Sequence, residues 1–506
     1  MLIFERITMA QTTTPFSSPI ILELNKKYQT QWALHSAESL LAWDLEVNMP
    51  PKASTSRGAV LGELSMLIQK QMAEIYPPLE RASVREQDLN DYEKGVVRIL
   101  NRKKKFYTRI PPSLLEQENK VAAEASVVWR EARKKSDFKS FRPYLEKNIE
   151  LKREEAEKLG YERHPYNALL DQYEEGITVD AVDRIFAKLI PALKSMLAKI
   201  KSSQFATDSP LVEKSYDIDA MSEVNRKLVE VLGMPKDRFR TDTSTHPFEA
   251  NMSRDDVRIT TRYEGTDFKR TLFSVIHESG HAIYELQIDE SLQYSPIGVA
   301  VSNGFHESQS RFWENVVGRS REFIALIRPM MQEHLEFLAS FSDDQLYYYF
   351  NQVRPGLIRV DADELTYNFH TALRYELEKK VIGGEVSTSE LPEIWNDTME
   401  EYLGIRPKTD AEGILQDVHW CQGSFGYFPT YTLGNVIAGM IWYNIRKEMQ
   451  FKEKVRGGEF DPVKKWLYEK IHRWGATYSP KELADKSLGE PINPDRLIEY
   501  LQWKYQ

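Results

Sequence analysis

The chain has 506 residues, 41% hydrophobic and 28% charged, with a formal net charge of -9. That supports a large core, in one big domain or a few smaller ones. An acidic balance without a basic stripe argues against a nucleic-acid partner, and the single cysteine, Cys421, rules out an intramolecular disulfide and fits a reducing compartment.

The opening MLIFERITMA carries an early acidic residue and no apolar h-region, so it is not a signal peptide. Residues 1–14 read as a disordered arm, with Met9 as an alternative start. No apolar run is long enough to span a membrane. The expectation is a cytoplasmic protein without a membrane partner.

Leu22–Glu46 reads as a helix that stops before Asn48-Met49-Pro50-Pro51. Ser54–Ile75 is the next, with Ser54 or Thr55 as its N-cap. Helical patterns continue over Val84–Lys105, Ser113–Lys135 and Phe138–Leu159, all rich in strong helix formers. The basic cluster Arg102-Lys103-Lys104-Lys105 lies in one of them and reads as a solvated face. Val179–Ile200 predicts a helix bent at Pro191. Neither Glu162–Pro165 nor Ser202–Pro210 breaks the chain convincingly. One domain is therefore expected over residues 15–506, with a helical region to about residue 235 and a catalytic region from about 236.

After Leu232 the texture changes. Asp256–Tyr263 alternates and is β-branched, which predicts a strand. An edge strand at that place can pair with an extended substrate backbone. Glu264-Gly265-Thr266-Asp267 then turns into Thr271–Ile288, TLFSVIHESGHAIYELQI. His277 and His281 are four residues apart, so on a helix they lie one above the other and can share a metal ion. Glu278 sits beside the open position. Gly280 leaves room for a close neighbour.

Ser295–Gly304 reads as a loop, followed by a helix containing Phe305-His306-Glu307-Ser308-Gln309. Glu322–Asn351 is helical, Pro355-Gly356 breaks it, and Ala362–Val381 is a helix closed by Gly383-Gly384. Pro407–Gly434 is irregular, and helices resume from Asn435.

A hydrolytic metal site needs a third protein ligand. Tyr284 and Gln287 exclude the longer HExxHxxGxxH pattern. Glu307 is the first choice, because the preceding loop is long enough to lay its helix beside the motif. Glu314 and His306 remain alternatives; Glu285 follows His281 on the same straight helix and converges poorly. Such a donor set suits zinc, and cobalt or manganese can substitute.

Six motifs occur in order: His246-Pro247-Phe248, Asp256–Thr260, His277–His281, His306–Gln309, Ile358–Asp363 and Gly413–Trp420. With Trp43-Asp44 and Met49-Pro50-Pro51, they make nearly the whole chain resemble the thermostable metallocarboxypeptidases of the carboxypeptidase Taq type. The resemblance implies a mainly α, neurolysin-like peptidase fold, with a deep groove and a small sheet beside the motif helix. It also implies a zinc-type carboxypeptidase of broad specificity, acting on peptides with a free C-terminus, in a homodimer.

In that frame Glu278 is the general base. Arg359, in the family's matching motif, is the first candidate to bind the terminal carboxylate, and Arg258 is the second. His419 and Tyr431, with Tyr427 behind, are the oxyanion candidates, in a Gly- and Tyr-rich loop able to close over substrate. Asp417 is expected to orient a ligand histidine. His246 lines the groove or caps the sheet. An endo-acting oligopeptidase would share the metal chemistry without the cationic clamp. A non-catalytic metal-binding scaffold is the remaining alternative, and an intact Glu278 argues against it.

Overall fold

The structure, a computed structural model, describes residues 14–505. The expected N-terminal arm therefore lies outside the described residues, apart from Thr14. Where the sequence is rich in helix formers and free of breakers, long helices form at Pro19–Val47, Ser54–Met72, Pro112–Lys135, Phe138–Leu159 and Val179–Ile200. Pro191 is accommodated inside the last of these.

Capping corrects several expected boundaries. Ala53 precedes the helix at Ser54 and no side chain caps it, so neither Ser54 nor Thr55 is the N-cap. The helix expected over Val84–Lys105 is instead two, Tyr76–Val84 and Asp91–Arg109. Asn90 and Glu93 form a reciprocal capping box, which starts a new helix there. Glu322–Asn351 likewise divides into Arg321–His334, a short 3₁₀ helix at Glu336–Ser340 and Asp343–Phe350, the last begun by a Ser342–Gln345 capping box. Asp363 accepts the backbone N–H groups of Leu365 and Thr366, and the helix beyond it runs over Tyr367–Gly383. It ends where Gly384 takes a left-handed φ of 79°.

The strand at Asp256 runs to Thr261 (β3) and pairs with two others, β1 (Phe239–Thr243) and β2 (Glu249–Ser253). Their order is β1-β3-β2, with β1 parallel and β2 antiparallel to β3, so β2 is an edge strand. Val257, Ile259 and Thr261 of β3 are buried. The Thr261 hydroxyl lies 3.1 Å from the Thr271 hydroxyl, which ties the sheet to the motif helix, Phe268–Gln287. That helix is buried on nearly every side. Each of Leu272, Val275, Ile276 and Ile283 is at most 2% exposed, worth roughly 2 kcal/mol apiece.

Glu307 lies on the helix Asn303–Arg311, which continues through a π-helical stretch, Phe312–Gly318. The helix Phe428–Glu448 covers it. This last helix begins seven residues before the expected Asn435, and it corrects one placement: Tyr431 sits in a helical first turn, not in a loop. The fold is mainly α with one small sheet, and no helix among the described residues is long and apolar enough to cross a membrane.

Candidate metal centre

Two glycines set the position of Glu307. A Cβ at Gly280 would stand 2.6 Å from Cα of Ser310, and one at Gly434 would stand 2.5 Å from Cγ of Glu307. The Glu307 helix is thus held backbone-close to the motif helix on one side and to Phe428–Glu448 on the other. Its N-terminus is pinned from a distant part of the chain. Glu174, 1% exposed, accepts from the Ser302 hydroxyl and the Gly304 N–H, both at 2.9 Å. Burial pushes the Glu174 carboxyl up to about 7.

Glu307 Oε2 lies 3.7 Å from His277 Nε2 and 3.4 Å from His281 Nε2. One donor atom from each of these residues falls within 4.8 Å of the others. Two imidazole nitrogens and one carboxylate oxygen, converging at that separation, fit a divalent cation. Around them, Arg311 Nε donates to Glu307 Oε1 at 2.6 Å, and Arg319 Nη2 pairs with Glu314 Oε1 at 2.7 Å. Burial alone would raise the Glu307 carboxyl, yet Arg311 and His277 hold it far below its ordinary value. Burial pushes His281 down to about 3, which keeps its imidazole neutral for ligation.

Glu314 takes a different place, outside that triangle. Its Oε2 lies 2.9 Å from His277 Nδ1, on the ring edge away from Glu307. That is the geometry that fixes tautomer and orientation in a ligand histidine. The part expected of Asp417 is therefore filled by Glu314. Asp417 is consumed elsewhere: Oδ1 accepts from Arg359 Nε at 2.8 Å and Oδ2 from Arg374 Nε at 2.6 Å. His306 stacks on His281 with centroids 4.3 Å apart, and its Nε2 lies 3.2 Å from Glu285 and 3.8 Å from Glu249. Glu285 thus points at His306 rather than joining the ligand triangle. Glu278 is 8% exposed. Burial, and after it the Glu307 charge, push its carboxyl up to about 7 against the pull of His277.

Arg359 is buried beside this centre. Its Nη1 donates to the Tyr367 hydroxyl at 2.9 Å, and Arg311 lies over the same Tyr367 ring at 4.6 Å. The neighbouring acids in sequence do not neutralise it. Asp361 pairs with Arg270, Asp363 caps backbone, and Glu364 pairs with Lys504. Tyr431 lies under the Arg359 guanidinium at 5.0 Å, and its hydroxyl is 3.2 Å from His419 Nε2. Tyr427 stacks edge-on against Tyr431 at 5.2 Å and against Tyr173 at 5.2 Å. Burial pushes His419 down to about 4.

Arg258 and His246 are placed less centrally. Asp256 takes both Nε and Nη2 of Arg258 at 2.8 Å, and the guanidinium lies over Trp43 at 4.4 Å. His246 is exposed on the turn between β1 and β2, where its carbonyl accepts the Ser244 hydroxyl. Sequence reasoning missed Glu174, Tyr173, Tyr367, Arg374 and Gly434. None of them carried a local signal: Gly434 closed a stretch that reads as irregular, and only the structure puts it inside a helix.

Two histidines and a glutamate converging beside a buried glutamate define a metal-dependent hydrolase site. The family model for carboxypeptidase Taq (M32) metallopeptidases matches residues 23–505. Thermostable carboxypeptidase 1 of Pyrococcus furiosus is 46% identical over 97% of this chain and 99% of its own. Carboxypeptidase 1 of Bacillus subtilis is 38% identical over 93% and 94%. A solved structure of Pyrococcus furiosus carboxypeptidase, in an Apo-Mg form, superposes with a TM-score of 0.95 at 45% identity, covering 97% of this chain and all of that one. The chain belongs to the carboxypeptidase Taq (M32) metallopeptidase family, and it is a metal-dependent carboxypeptidase acting on peptides.

Proposed function

We propose that His277, His281 and Glu307 hold zinc, with cobalt or manganese able to replace it, and that the enzyme releases C-terminal residues of broad specificity. The observation that carries the reading is one contiguous cluster. The ligand triangle connects through Arg311 and Tyr367 to Arg359, whose Nη2 has no partner among the described residues.

A divalent cation in the triangle supplies Lewis-acid polarisation of the scissile carbonyl and acidifies water. Glu278 takes the proton of the attacking water and delivers it to the leaving amine. A carboxyl poised near 7 can do both. Arg359 holds the terminal carboxylate. Asp417 and Tyr367 lock its fork from behind, so its outer edge is preorganised for two oxygens. Tyr431 donates to the oxyanion, with the His419 Nε2–H turned to the Tyr431 oxygen, and Tyr427 packs behind both. Arg258, already satisfied by Asp256, and the exposed His246 line the sheet side of the groove.

We take residues 15–506 as a single domain, because one buried apolar set runs from Phe16 to Tyr505. The homodimer rests on the family resemblance. The cytoplasmic location rests on a sole, buried cysteine.

The test is a mass-spectrometric digest of a peptide and its C-terminally amidated twin, each with and without chelator. A ladder shortened from the C-terminus, weak on the amide and abolished by chelator, is the expected result. Internal cuts equal on both peptides would make the enzyme an endopeptidase and remove the clamp.

A further inference from the structure

The four residues of the basic cluster on Asp91–Arg109 do not share one environment. Arg102 pairs with Asp171 at 2.9 Å and approaches Glu175 at 3.7 Å. Lys104 pairs with Glu80 at 2.6 Å. Lys103 and Lys105 form no ion pair among the described residues. Lys103 is half-buried, with Nζ 3.1 Å from the Tyr28 hydroxyl. A half-buried cation without a counterion is an unmet charge, and it attracts an anion.

Both lysines line a cavity of 870 Å³, together with Phe106, Tyr107 and Tyr161. Its carboxylates do not cancel them: Asp171 is already taken by Arg102, and Glu162 lies exposed at the rim. A second cavity, of 380 Å³, is lined by Asn251 of β2, Tyr173, Glu285 and His306, and the His306 ring stacks on His281 of the metal centre. Arg102, Asp171 and Gln172 line both, so the two adjoin across those side chains.

If Arg359 holds the terminal carboxylate, the scissile bond is one residue away and the rest of the peptide must leave on another side. The cavity at His306 is open space beside the centre. Asn251 of the edge strand β2 lines it, and an edge strand can bind an extended chain. Beyond it lie Lys103 and Lys105.

We propose that this cleft takes the part of the peptide upstream of the cleaved bond, and that Lys103 and Lys105 select for aspartate and glutamate side chains there. The enzyme then prefers peptides with an acidic segment before a C-terminus of any kind. This rests on the clamp reading given above.

The experiment uses three peptides with one common C-terminal sequence and Glu, Gln or Lys at the same upstream positions. The kcat/KM of each is measured at low and high salt, for the wild-type enzyme and for K103Q/K105Q. The wild type is expected to favour the Glu over the Lys peptide by about tenfold, and salt to shrink that ratio. In the double variant the ratio is expected to fall to near one. The salt dependence reads the same charges without any substitution. A wild-type ratio of one, a preference for the Lys peptide, or a ratio that survives in the variant would overturn the proposal. Release of no C-terminal residue from any of the three would overturn the clamp reading instead, and this proposal with it.

Discussion

Two buried charge clusters stand next to each other, joined by Arg311 and Tyr367, and they are balanced in opposite senses. At the metal centre three carboxylates, Glu278, Glu307 and Glu314, meet two guanidiniums, Arg311 and Arg319. Around Asp417 two guanidiniums, Arg359 and Arg374, meet a single carboxylate. In both, arginines hold buried acids ionised against burial: Glu307 and Glu314 in the first, Asp417 in the second. The excess differs. One cluster is short of a cation and the other of an anion, which is what the proposed reading has each of them take in. On the proposed reading both act on one substrate, a cation at the carbonyl and a clamp for the carboxylate one residue further on.

The largest break in this pairing comes from the carboxylate that no arginine holds. Glu278→Gln should lower kcat by about 10³-fold while metal content stays unchanged. A variant that turned over near the wild-type rate would remove Glu278 as the base. Next, Arg359→Ala should reduce kcat/KM on free-carboxylate peptides by about 10²-fold and leave the slow cleavage of amidated twins unaffected. Equal losses on both would mean that Arg359 supports the fold rather than the substrate.

Smaller effects sharpen the metal half. Glu314→Gln should weaken metal binding about 10- to 100-fold, read by competition with a chromophoric chelator. Gly434→Ala should do the same by another route, since its Cβ would fall 2.5 Å from Glu307 Cγ and force the ligand to shift. Unchanged affinity in both would detach the Glu307 helix from the centre.

The smallest effect on catalysis is expected at Glu174. Its carboxyl is raised from 4.5 to about 7 by burial, so the folded protein holds this proton more tightly than the unfolded chain does. The stability it contributes is full below pH 4.5 and is lost as pH rises through 7. Relative to Glu174→Gln, the wild type should lose on the order of 3 kcal/mol across that window. Denaturant melts of the two proteins at matched pH would read it. A constant difference would mean that Glu174 does not titrate there.

The signals that reached furthest in the sequence were local ones. His277, Glu278 and His281 were legible because the helical repeat alone puts i and i+4 on one face. Phe138–Leu159 and Val179–Ile200 were legible because their composition and caps act within a single turn. The boundaries that failed, at Asn90 and Ser342, turned on capping boxes inside stretches that otherwise read as continuous helix.

The sequence by itself determined a mainly helical chain, its metallopeptidase family through the order of its motifs, and the placing of His277, Glu278 and His281 on one helix face, since residue types at short spacing carry all three. Only the tertiary structure decided which acid serves which partner. Glu314 orients His277 and Asp417 does not, because Arg359 and Arg374, 58 and 43 residues away in sequence, occupy both oxygens of Asp417. Glu174 reaches Gly304 from 130 residues away, and Gly434 meets Glu307 across two helices. Such pairings depend on how helices pack, and spacing along the chain carries no record of that.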